Sequence, residues 1–188
     1  MPRYRLIFPV IASILLAGGA NAGAASEKAA ARLSLVRQMT DMTLAVLQDA
    51  KKSYAAREEA MERGIAGMVD IDRIARSALG LGWRQADDAQ RAKYTELYRR
   101  YLTKMYIANF AQSAERKVSN MKTLGVDGVS DEEFTARTEV RLSSGERLNV
   151  TYLVSERGGS NQIIDISVEG VRLLVTHRAE FGQILAAR

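Results

Sequence analysis

The chain has 188 residues, a formal net charge of +5, one histidine, two prolines and no cysteine. Without thiols it can build no disulfide, thiolate metal site or cysteine nucleophile, and one imidazole cannot make a multi-histidine zinc site. The basic excess is mild and interspersed with acids, so a solvated surface is expected and a nucleic-acid partner is not.

Arg3 and Arg5 precede the apolar run LIFPVIASILLA, Leu6 to Ala17, and GGANAG follows with Ala20-Asn21-Ala22 in an A-x-A pattern. A positive segment, a short apolar core and small residues are the order of a secretory signal. The run falls short of the roughly 20 apolar residues that a membrane span needs. Residues 1–22 are therefore expected to be a signal peptide, and 23–188 one exported, soluble domain held together by packing alone. A chain of this size can bury one sizeable core.

From Ser26 the apolar residues recur every three to four positions. Val36, Met39, Thr43, Val46, Leu47, Ala50 and Tyr54 make one stripe, which predicts a single long helix. Met61, Ile65, Met68 and Val69 make a second, shorter one. Asp70 is placed to cap a third helix, with Ile71, Ile74, Ala75, Ala78 and Leu79 inward and Gly80 and Gly82 as its stop. Asp87 or Asp88 opens a long fourth helix with the stripe Tyr94, Leu97, Tyr98, Tyr101, Leu102, Met105, Ala108 and Phe110.

The period then changes to two. In EFTARTEVRL, Phe134, Ala136, Thr138, Val140 and Leu142 face one way, and Thr135, Arg137, Glu139 and Arg141 the other. SSGE makes a turn, and RLNVTYLV alternates through Leu148, Val150, Tyr152 and Val154. RGGS makes another turn, and QIIDISV places Ile164, Ile166 and Val168 on one face, with Asp165 opposite. KVSNMKTL is a weaker strand before these. Glu169-Gly170 forms a corner, after which Val171, Leu174, Val175, Phe181, Ile184 and Leu185 return to helical spacing. The fold class is α+β: several helices on one face of a curved antiparallel sheet of about four strands.

Few residues invite chemistry. No serine sits in a nucleophile elbow, so a triad through His177 lacks its partner. His177 itself falls near the edge of the last helix's apolar stripe, as a partly exposed residue. The acidic groups Asp70-x-Asp72, Asp87-Asp88 and residues 131–133 lack EF-hand spacing and read as caps or turns. LGLG at 79–82 ends a helix instead of following a strand, unlike a phosphate loop. Asp165 and His177 are the only acid-base candidates, and no metal or cofactor is expected. An apolar wall remains: a curved sheet can diverge from the helices above it and leave a cavity.

The segment ALGLGWRQADDAQRAKYTELYRRYLTKMY resembles one signature of the toluene-tolerance family, the MlaC-type periplasmic lipid-binding proteins. It carries Leu79, Gly80, Trp83, Gln90, Arg91, Tyr94, Tyr98, Leu102 and Tyr106. IIDISVEGVRLLVTHRAEFGQIL resembles the second signature, through Asp165, Glu169, Gly170, Val171, Arg178 and Phe181. The resemblance implies a monomeric, non-catalytic carrier that holds acyl chains between helices and sheet. Its cargo would be phospholipid, or a hopanoid as in a related branch. Such carriers work between an outer-membrane lipoprotein complex and an inner-membrane ABC transporter. The lipid-binding wall is then expected from Met68, Leu79, Tyr98, Tyr101, Met105, Tyr106, Val140, Tyr152, Ile164, Ile166, Val171, Leu174 and Val175. The other readings are a small α+β enzyme and a periplasmic interaction module with a solid core.

Overall fold

A computed structural model describes residues 18–111, 117–130, 132–156 and 161–187. Six helices and five strands follow in chain order: α1 Gly18–Gln48, α2 Tyr54–Ile65, α3 Ile71–Leu79, α4 Leu81–Gln85, α5 Asp88–Ala111, β1 Val118–Gly128, β2 Glu133–Leu142, β3 Arg147–Ser155, β4 Gln162–Val168, β5 Val171–Arg172 and α6 Leu173–Ala186. The expected export signal falls largely outside the described residues, and α1 already begins at Gly18, upstream of the predicted cleavage point. The RGGS turn and Asp131 also lie outside them.

The first long stripe breaks in two. α1 stops at Gln48, and Ser53 starts α2 by accepting a hydrogen bond from the Ala56 amide. Tyr54 therefore opens a second helix instead of closing the first. Asp70 caps α3 through the Arg73 amide at 2.9 Å. Asp87 and Gln90 exchange side-chain-to-amide bonds of 2.8 and 3.0 Å, a reciprocal box that fixes the start of α5. Gly80 ends α3 at φ +59°, and Gly82 falls inside the short α4 instead of acting as a second stop.

The strands form one antiparallel meander in the order β1-β2-β3-β4-β5. The predicted inward residues of β2 are all buried, and β3 pairs its Val150, Tyr152 and Val154 with Thr138, Ala136 and Phe134. These side chains meet Val36, Met39, Val46 and Leu47 of α1 in the main core. The opposite face carries solvent-side ion pairs, such as Arg137 with Asp127.

In β4 the alternation slips. Leu153 opposes Asp165 while Val154 opposes Ile163, so Ile164 is an extra residue in a bulge. The core-facing residues on either side of it are Ile163 and Ile166, and Ile164 is buried outside the main cluster. The Glu169-Gly170 corner is a two-residue hairpin with positive φ at both positions, 49° and 79°. That geometry suits a tight antiparallel connection and adds β5 as a short fifth strand.

Candidate functional site

The α2–α3 linker is stitched to the open edge of β4. Ile163 donates to the Met68 carbonyl at 2.8 Å, and Asp70 donates to the Ile163 carbonyl at 3.0 Å. This parallel bridge holds Val69 against the sheet. Behind it lies a hollow between the helical layer and the sheet. Its lining is Met39 and Thr43 from α1, Met61 and Ile65 from α2, Val69, Ile71 and Ile74, then Leu102, Thr103 and Met105 from α5, Ile166 from β4 and Leu173. Apart from two threonines every described lining residue is apolar, and the Thr103 hydroxyl is bonded to the Arg99 carbonyl at 3.1 Å. The volume is about 80 Å³. Small-molecule sites usually measure roughly 300–1,000 Å³, so this is a narrow seam.

Among the described side chains, only Met105 and Ile166 of the expected wall residues line that seam. Met68 packs against the main core beside it, holding the linker through its carbonyl. Val140 and Tyr152 belong to the solid part of the core under α1, and Ile164 sits on the bulge. Val171 and Val175 lie outside the seam, at 64 % and 62 % exposure. The hairpin places Val171 at the sheet edge, and α6 turns Val175 to solvent. Leu174 is half-buried in a second cluster instead, with Ile74, Ala75, Ala78 and Tyr98. Leu79 lines an open cleft of about 970 Å³ between α3, α4 and α6, together with Arg73, Arg76, Arg84 and Arg178. Arg178 is held there by the Ser77 carbonyl and Arg73 by Glu133, and Leu81, Trp83 and Leu185 line the cleft beside them. The Tyr106 side chain lies outside those described.

Tyr98 and Tyr101 take part in an aromatic cluster with Tyr94, His177 and Phe181, ring centres 5.3–6.3 Å apart. Tyr98 is buried, whereas Tyr101 is exposed at the cluster's rim. His177 is 2 % exposed, so the expectation of a partly exposed histidine fails. Its Nδ1 shares a 2.8 Å hydrogen bond with the Tyr98 hydroxyl. Burial lowers the imidazole pKa, opposed by the charges of Glu180 and Asp165. Burial also pushes the Tyr94 and Tyr98 hydroxyls well above the usual tyrosine value, so both stay protonated.

Asp165 is 3 % exposed and fully committed. Its carboxylate accepts from Arg172 Nε at 2.6 Å, from the Ile166 amide at 2.9 Å and from the Leu174 amide at 3.3 Å. It thereby fastens the end of β4 to the first turn of α6. Neither Asp165 nor His177 lines the seam. Asp165 is taken up by its neighbours and His177 shares Nδ1 with Tyr98 away from the seam, so neither is placed to act as an acid or base on a ligand there.

The motif residues noted in the sequence gather in this same region. Arg178 donates twice to the Ser77 carbonyl, at 3.0 and 2.8 Å, and its stem runs over Gly80. Arg91 donates to the Trp83 carbonyl at 3.0 Å and lies 5.7 Å from that indole ring centre. Most motif residues thus build the clasp joining α3, α4, α5 and α6, while Leu102 belongs both to the second cluster and to the seam, whose lining also draws on α1, α2, α3, β4 and α6.

The family model described as MlaC protein matches residues 37–188. Among solved structures, the phospholipid-binding protein from Ralstonia solanacearum, determined in complex with a phospholipid, is similar at a TM-score of 0.67. It is 18% identical, and the similarity covers 82% of this chain and 87% of that chain. Among curated proteins nothing matches. The described residues contain no helix long and apolar enough to cross a membrane.

Proposed function

The chain belongs to the MlaC family, and from that premise we propose that it is a periplasmic lipid carrier whose acyl chains lie in the seam between helices and sheet. The observation that carries this reading is the seam's lining, almost wholly apolar and sharing Ile65, Val69 and Ile71 with the cavity beside it. Support for a phospholipid cargo comes from the structural neighbour solved with one. The alternative cargo, a hopanoid, is a rigid fused-ring lipid that needs a preformed slab of space. Met39, Met61 and Met105 around the seam suit a flexible chain better, because methionine adapts its shape to what it touches.

Transfer energies explain the need for such a protein. Each methylene exposed to water costs about 0.8 kcal/mol, so two chains of roughly 15 methylenes cost about 24 kcal/mol gross. An apolar interior offsets most of that without any reaction. At about 80 Å³ the seam is nearly shut, so loading requires the elements around it to move apart. Closure when empty keeps that apolar lining out of water. The carrier passes lipid between outer- and inner-membrane complexes as a monomer, and catalyses nothing.

Protein isolated from the periplasm of a native-like host tests the reading. Organic extraction and mass spectrometry should find near-stoichiometric phospholipid. Lipid-free protein that also ignores a fluorescent fatty acid would leave the solid-core interaction module in its place, and recovery of a hopanoid would correct the cargo.

A further inference from the structure

We propose that the cavity at the mouth of the seam is a headgroup site selective for zwitterionic phospholipids, those whose phosphate is joined to an amine-bearing alcohol. This rests on the carrier reading above and adds what the protein recognises. The cavity measures about 460 Å³ and lies between the C-terminal end of α2, the linker to α3, and Arg99 on α5. Ile65, Val69 and Ile71 line both this cavity and the seam. A tail in the seam therefore leads its headgroup into this space.

The charges around it are matched to such a group. Arg63 is already paired with Glu59, and Asp70 is spent on capping α3. Arg99, Glu62 and Asp72 remain, and among the described residues none of the three has an ion pair. Arg99 and Glu62 are partly buried, which makes an unpaired charge costly and leaves them poised for a counter-ion. One guanidinium answers one phosphate, and the two carboxylates answer an ammonium. An anionic headgroup satisfies Arg99 but faces Glu62 and Asp72 with nothing to offer them.

The test offers purified protein vesicles of equimolar phosphatidylethanolamine and phosphatidylglycerol, then quantifies the lipid on the re-isolated protein. The native protein should enrich phosphatidylethanolamine about threefold, the scale that partly exposed charge pairs supply. Glu62→Gln with Asp72→Asn should abolish that preference, and Arg99→Gln should lower uptake of both phospholipids. Diacylglycerol, which has the tails but no charge, should load equally into every variant and so reports on fold and seam. Equal loading of the two phospholipids by native protein, or a preference that survives the charge changes, overturns the headgroup site while leaving the carrier intact. Failure of native protein to take up even diacylglycerol overturns both.

Discussion

The phenolic oxygen of Tyr98 lies 2.8 Å from Nδ1 of His177, and each residue is only 2 % exposed. This pair joins α5 to α6 inside an aromatic cluster that also holds Tyr94, Tyr101 and Phe181. Its role is to bind the last helix to the bundle, since neither ring reaches the apolar seam.

Stability should therefore depend on pH through the only histidine in the chain. Folding holds His177 below its ordinary pKa because the ring is buried. Its contribution is complete above the unfolded value of about 6.5 and shrinks as the pH falls below it, where the unfolded chain takes up a proton that the folded chain resists. The melting temperature should fall between pH 6.5 and 5 in the native protein. In a His177→Phe, Tyr98→Phe double variant that slope should flatten. His177→Phe alone should cost about 1–3 kcal/mol, because it strands a buried hydroxyl.

The seam is checked by filling it. Ile166→Trp should lower lipid retention by about tenfold while costing roughly 1–3 kcal/mol of stability from overpacking. Val171→Trp makes the same chemical change at a site that is 64 % exposed, and should leave both quantities within about 0.5 kcal/mol of native. Mass spectrometry of bound lipid and thermal melts read the two effects. Equal loss of lipid from both variants would place the tails elsewhere.

Much of the fold is legible in the residues because its signals are local. Alternation through Phe134, Ala136, Thr138, Val140 and Leu142 identifies β2, and Asp70 and Asp87 announce their helices through side chains that reach their own backbone. The break between α1 and α2 is poorly marked, since residues 49–53 contain neither glycine nor proline and Tyr54 extends the helical period by chance. The bulge at Ile164 leaves no mark on the alternation; pairing with β3 alone reveals it.

The site is harder to read than the fold for a physical reason. Met39, Met61, Ile65 and Ile74 stand on stripes that identify inward-facing residues. Periodicity cannot distinguish an inward residue that touches a neighbour from one that faces a gap. The motif residues point elsewhere, because Asp165, Arg178, Trp83 and Phe181 serve the clasp around α6. Glu62, Asp72 and Arg99 were invisible as a group until the linker folded back onto β4.

Asp165 should prove structural. Asp165→Ala removes the acceptor for Arg172 and for the Ile166 and Leu174 amides, and should cost about 2–4 kcal/mol. Asp165→Asn retains an acceptor oxygen and should cost about half as much. Below its melting temperature the asparagine variant should carry native amounts of lipid. A folded, stable Asp165→Asn protein without transport activity in cells would revive the enzyme reading.

At the far end of the sheet Glu156 accepts from Arg32 Nε at 2.9 Å and from its Nη2, with Lys28 adding a second cation. The Arg32 guanidinium also lies 4.7 Å from the Phe134 ring centre. These contacts pin the N-terminal half of α1 across β2 and β3. The hydrogen bond from Arg32 holds the Glu156 carboxyl down at about 2, well below its ordinary range. Its stabilising effect is complete above the ordinary glutamate value of about 4.3 and is lost as the pH falls from there toward 2. Glu156→Gln should cost about 1–2 kcal/mol at pH 7, discounted for the solvent that reaches Lys28. The cost should shrink as the pH approaches 2, where the native carboxyl is itself becoming neutral. Because α1 supplies Met39 and Thr43 to the seam, loosening its anchor should also speed lipid release at pH 7. An off-rate unchanged in Glu156→Gln would show that α1 stays fixed while other helices open.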